Sequence, residues 1–251
     1  MASTLESFVE ELTSEYYLNF AGLKDELDVS SIYTKYDLFS NVDTIKELRA
    51  KAMDVEGEER RKLEYLHAFM ASGYLENATR ELTDSIATKE ATSTISLGSE
   101  VHPFRSAAIL MANEPDHLKR AAIYRATMPL IVELNIPMRK KLESSHALAR
   151  ELGYVDYAHM CSHIKKISFA TLFEIARNIL KSTECTYERE FERIAGSELA
   201  LKREAIRKPD MLRLLRLENF DSFFESRDMM SVLRSTACDM GLKTVSYTHL
   251  R

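Results

Sequence analysis

The five residues "HMCSH", His159 to His163, bring two imidazoles and a thiol into one short stretch. Histidines four apart project from the same face of a helix, which is how an HExxH helix presents two ligands to zinc. In that chemistry a glutamate follows the first histidine and takes a proton from zinc-bound water. Here that position is Met160, which cannot act as a base, and Cys161 lies off the shared face. A thiol and base made of Cys161 and His163 fails for a related reason, since two positions along a helix the side chains diverge. His159 and His163 therefore read as a surface-facing pair on an ordinary helix, and no catalytic, cofactor-binding or metal-binding residue is assigned.

The other charged and aromatic groupings point to structure before chemistry. Runs such as "EERRK" and "KREAIRK" have the spacing of solvated helical faces laced by ion pairs. Tyr16, Tyr17 and Phe20, and the stripe of Phe169, Phe173 and Phe191, are expected in the core. No GxGxxG, Walker-type or GxSxG pattern occurs, so phosphate cradling and nucleophile-elbow hydrolysis have no support.

The elements that must position these residues are mostly helices. Leu5, Phe8, Leu12, Tyr16 and Phe20 recur at helical spacing after a Ser3–Glu6 capping box. A loop is expected around "DVSSIYTKYDLFSN". Helices follow over Val42 to Ala52, over Arg61 to Phe69 with a stop before Gly73, and from Asn77 through Ile86. "ATSTISLGSEVHPF", near 91–104, is rich in β-branched residues around a Gly-Ser turn and predicts one small β-hairpin. Asn113 is expected to cap a long helix whose apolar stripe runs through Leu118, Ala122, Met128, Ile131, Leu134, Met138, Leu142 and Leu152. Pro129 and Pro137 should kink or interrupt it. A break at Gly153, a restart near Asp156, a cap at Ser168 and a last helix from about Asp228 to Gly241 complete the pattern. The fold class is mainly α, an array of long antiparallel helices with one hairpin. It divides into an N-terminal helical region with the hairpin over 1–112 and a second helical region over 113–244.

Composition agrees with this reading. Only 7 glycines and 5 prolines in 251 residues favour long helices over loops. A net charge of −5 gives no electrostatic reason to bind nucleic acid or an anionic membrane. Three cysteines without CxxC spacing fit a reducing compartment, and the acidic start is unlike a secretory leader, so a cytoplasmic protein is expected.

Several stretches, in order, resemble the N-terminal part of the zinc oligopeptidase family that contains thimet oligopeptidase and oligoendopeptidase F. They are "EYYLNFAGLKDELDVSSIY", "GYLENATRELTDSIATKEATSTI", "HPFRSA", "NEPDHLKRAAIYRA" and, most specifically, "HALARELGYVDYAHM" with its LGY turn between helices. The resemblance implies a helical peptidase whose N-terminal region walls one side of a substrate channel. It implies zinc as cofactor, short peptides as substrates, and a later catalytic domain carrying HExxH and a downstream glutamate. None of those zinc ligands matches a position here, and "HMCSH" falls in the LGY segment instead.

The chain is thus expected to be an inactive N-terminal fragment of a zinc metallopeptidase, lacking its C-terminal catalytic domain, with an exposed apolar patch on the late helices. The rivals are a non-enzymatic helical interaction protein and a metal-binding helical protein using His159 and His163. Val245 to Arg251, with His249, reverse-translates to something like a sequencing-library adapter, which makes it a non-native tail to exclude from fold reasoning.

Overall fold

The computed structural model describes residues 2–223 and 228–242; the Val245–Arg251 tail and His249 lie outside them. Five helices come first: α1 (Ala2–Phe20), α2 (Val29–Tyr36), α3 (Val42–Met53), α4 (Gly57–Ala78) and α5 (Arg80–Thr92). A hairpin of β1 (Thr94–Leu97) and β2 (Glu100–Pro103) leads to α6 (Ala107–Asn113) and the long α7 (His117–Glu151). The chain continues through α8 (Tyr157–Lys165), α9 (Phe169–Leu199), α10 (Lys208–Leu214) and α11 (Met229–Asp239). The protein is mainly α with one small hairpin, as its composition implied. Among the described residues no helix is long and apolar enough to cross a membrane.

The caps explain most of the boundaries. Asn41, Asp156 and Ser168 each accept the backbone N–H three residues on, opening α3, α8 and α9. The "DVSSIYTKYDLFSN" stretch is not a loop, because it contains α2. Asp28 caps that helix from one side, and the Asp84 carboxylate of α5 accepts the N–H groups of Val29 and Ser30 at 2.8 and 3.0 Å. A distant acid thus satisfies donors that local sequence leaves open. Asn113 ends α6 and does not cap α7. Asp116 does so, its Oδ1 accepting from Leu118 and Lys119 at 2.7 and 3.1 Å. The Ser3–Glu6 capping box does not stand at a helix start, for α1 already runs from Ala2.

The interruptions expected at Gly73, Pro129 and Pro137 are absent. α4 runs straight through Gly73, whose missing side chain makes room for the Phe39 ring; a Cβ there would lie 2.2 Å from that ring. α7 is continuous through Pro129 and Pro137. Each proline removes the N–H that would meet the carbonyl four residues back, at Arg125 and Glu133. Both of those residues are exposed, so water can take the place of the lost donor.

Three apolar clusters form the core. Phe8, Leu27, Val29, Tyr33, Phe39 and Ala87 join α1, α2, α4 and α5, with Phe8, Tyr33 and Phe39 in edge or tilted ring contacts at 5.0–5.6 Å. Ile45, Ala71, Leu75, Ala149, Leu152, Tyr154 and Met160 join α3, α4, the end of α7 and α8. Ile95 of the hairpin packs on Ala107, Met111 and Ile123. The hairpin pairs Leu97 with Glu100 across Gly98-Ser99, and Gly98 supplies the positive φ that a type II′ turn places first.

Polar hubs bind these clusters. The Asn19 amide donates to the carbonyls of Lys24 and Asp25, and its Oδ1 accepts from Arg105 at 2.8 Å. Arg105 also bonds the carbonyls of Asn19 and Ala87, tying the chain after the hairpin to α1 and α5. The buried stripe of α7 matches the expected apolar one only in part, at Leu134, with Leu152 buried just past the helix end. It runs Arg120, Ile123, Thr127, Leu130, Leu134, Ser145 and Ala149, while Leu118, Met128, Met138 and Leu142 face outward.

Candidate functional site

α8 does place His159 and His163 on one face, and that face is occupied. Their rings flank the Tyr154 ring at centroid distances of 5.8 and 5.5 Å. His159 Nδ1 faces the Val155 N–H, and among the described residues no three His, Cys, Asp or Glu side chains converge on one point. The donor set does not fit a zinc site, which needs at least three protein ligands. Cys161 is turned toward Tyr157, whose phenol is held above its ordinary value by burial and by the neighbouring thiol.

The Tyr154 hydroxyl points inward. It donates to His67 Nε2 at 2.7 Å, while His67 Nδ1 donates to the Ile45 carbonyl at 3.1 Å. A carbonyl can only accept, so the tautomer is fixed, and both ring nitrogens are satisfied. Burial holds the His67 imidazole below its ordinary pKa against the Ile45 hydrogen bond, with the nearby Arg49 charge acting in the same direction as burial. His67 is therefore a neutral core histidine linking α3, α4 and the LGY turn.

Beside this link opens a cavity of about 320 Å³. Its wall carries Arg49 from α3, Arg60 and Glu64 from α4, and His163 and Lys166 at the end of α8. Glu64 accepts from both Arg60 and Lys166, which hold its carboxyl below the usual range. Arg49 lies over the Tyr154 ring with 4.3 Å from guanidinium to centroid. Burial and Arg49 together depress the His163 pKa. Sequence reasoning missed Arg49 and His67. Each sits among the apolar positions of its helix, where periodicity counts it as a lapse in the stripe.

The second feature is the surface of α9. From Phe169 to Tyr187 every residue is exposed. Phe169, Leu172, Phe173, Ile175, Ile179 and Leu180 form an apolar face in water, with Phe173 at 64% and Leu180 at 70% of full exposure. The helix is packed only toward its C-terminal end, where Ala195 is buried and α10 lies against it. The core position expected for Phe169 and Phe173 is thus overturned, as it is for Tyr17 and Phe20 of α1. Period alone identifies an amphipathic helix but not whether anything covers it. The expected apolar patch on the late helices is present, and α11 adds exposed Met229, Val232 and Leu233.

No family model matches the chain, and neither a curated protein nor a solved structure does so.

Proposed function

We propose that this chain is the N-terminal, non-catalytic helical region of a zinc-dependent oligopeptidase that hydrolyses short peptides in its complete form. The observation that carries the reading is the apolar face of α9. A helix that keeps a helical period of Phe, Leu and Ile over about three turns, Phe169 to Leu180, while exposing all of them has the design of a packed helix without its neighbour. The resemblance of the segments in their order, ending in "HALARELGYVDYAHM", supports reading that neighbour as the rest of a channel-walled peptidase.

In this reading zinc and the proton-accepting glutamate belong to the HExxH region of the longer protein, and the present residues contribute scaffold. The 251-residue chain supplied with zinc should not cleave a fluorogenic short peptide. The longer gene product should cleave it and lose the activity when the HExxH glutamate is changed to glutamine. Zinc-dependent cleavage by the 251-residue chain that disappears in His159→Ala would overturn the reading. The competing view, a helical interaction protein with no peptidase ancestry, draws on the same α9 face and differs in expecting a separate protein to cover it.

A further inference from the structure

We propose that the cavity between α3, α4 and the end of α8 binds a small molecule through its carboxylate or phosphate group, with Arg49 as the anchoring residue. This site is independent of the peptidase reading and would stand if that reading fell.

The charge arrangement is the first ground. Arg49, Arg60 and Lys166 face the cavity against a single carboxylate, Glu64. Glu64 is committed, since it already accepts from Arg60 at 3.1 Å and from Lys166. Arg49 is left without an acidic partner among the described residues. Its Nε is buried and makes no hydrogen bond there. A buried donor left unmade costs about 1–3 kcal/mol; that Nε is closed to solvent, so an oxyanion in the cavity would be met by the charge of the guanidinium and its remaining N–H groups.

Geometry is the second ground. Stacking on Tyr154 holds the Arg49 plane, and Tyr154 is fixed through its hydroxyl to His67. The guanidinium is therefore preorganised, which reduces the ordering cost of binding. Ala52, Met53 and Ile164 give the cavity an apolar side. Its volume of about 320 Å³ is at the small end of ligand pockets, which favours a compact ligand with one anionic head and a short apolar part.

His163 at the rim supplies a reporter. Arg49 from α3, Arg60, Glu64 and His67 from α4, Tyr154 of the LGY turn, and His159 and Lys166 from its own segment are the charged and titratable groups around it. An anion held by Arg49 would offset the positive charge that now disfavours protonation, so the His163 pKa should rise on binding.

The test is an NMR titration of the full chain at constant ionic strength with three probes: inorganic phosphate, N-acetyl-alanyl-alanine, and its C-terminal amide. Saturable shifts at Tyr154, His163 and Arg49 with phosphate, with the peptide carboxylate, or with both are expected, and which probe acts identifies the source of the anion. The amide should not bind. Arg49→Met should weaken binding about tenfold or more, as loss of a charge-assisted hydrogen bond implies. Arg49→Lys, which keeps the charge and the fold but not the fork, should weaken it as well, and exposed Lys166→Met should do so to a smaller degree. No saturable shift with either anion would overturn the proposal. So would binding that persists unchanged in folded Arg49→Lys and Lys166→Met, or equal binding of the amide.

Discussion

Replacing Asp210 with alanine should be among the most damaging single changes in this protein. Asp210 and Arg120 are at 0% and 1% exposure, and the Asp210 Oδ1 accepts from Arg120 Nε at 2.8 Å and from His117 Nδ1 at 2.9 Å. Its Oδ2 accepts the Arg207 N–H at 2.7 Å, which opens α10. Without the carboxylate, the Arg120 guanidinium stays buried with only the Glu114 and Pro115 carbonyls as partners. Removing one partner of a buried pair costs about 3–5 kcal/mol, while replacing both by apolar groups is often close to neutral. Asp210→Ala should lose about that much in urea denaturation, and the double variant Arg120→Met with Asp210→Leu should lose much less than the two single changes added together. Acid unfolding provides a second reading. Burial pushes the Asp210 pKa up, but hydrogen bonds from His117, the Arg207 N–H and Arg120 outweigh it and leave the group below its ordinary value. Its contribution is therefore present above the unfolded pKa of about 3.9 and is lost as pH falls through the lower folded value. Asp210→Asn should flatten that part of the acid limb. A loss below about 1 kcal/mol for Asp210→Ala, or a strictly additive double variant, would refute the reasoning.

Three further outcomes are expected. Gly73→Ala should lower stability by about 1–3 kcal/mol in chemical denaturation, because its Cβ would be forced against the Phe39 ring. Stability should fall as pH drops below the unfolded histidine value of about 6.5, since the unfolded state takes up a proton that buried, neutral His67 refuses until its depressed folded pKa is reached. His67→Gln should reduce that slope in a series of urea midpoints across pH. Phe173→Asp with Leu180→Asp should reduce self-association in sedimentation velocity with little effect on the thermal midpoint, because neither side chain is buried in the monomer.

Much of the scaffold was legible from local chemistry. Ser168 is a cap in the sequence and in the structure, the restart near Asp156 is the start of α8, and "ISLGSEVH" folds as the hairpin its β-branched residues and Gly98 imply. What local pattern could not carry was anything decided by a distant partner. Asp84 makes α2 possible from more than fifty residues away. Gly73 reads as a stop until Phe39 is known to lie against it. α7 buries Arg120, Thr127 and Ser145 on the face that packs and leaves Leu118 and Leu142 outside, so a count of apolar positions finds only part of that face, Leu134 among it. The site was read in reverse. The "HMCSH" spacing correctly put two imidazoles on one face, but it is Tyr154 that occupies the space between them, and Arg49 on another helix that gives the neighbouring cavity its character.

The proposal that this chain is part of a longer peptidase is tested most directly by the reading frame in the native gene beyond the codon for Thr244. A frame that continues and encodes an HExxH helix within a few hundred codons is the expected result. A native stop codon at the end of this chain, with no such helix downstream, would contradict the peptidase assignment and leave the α9 face to a separate partner.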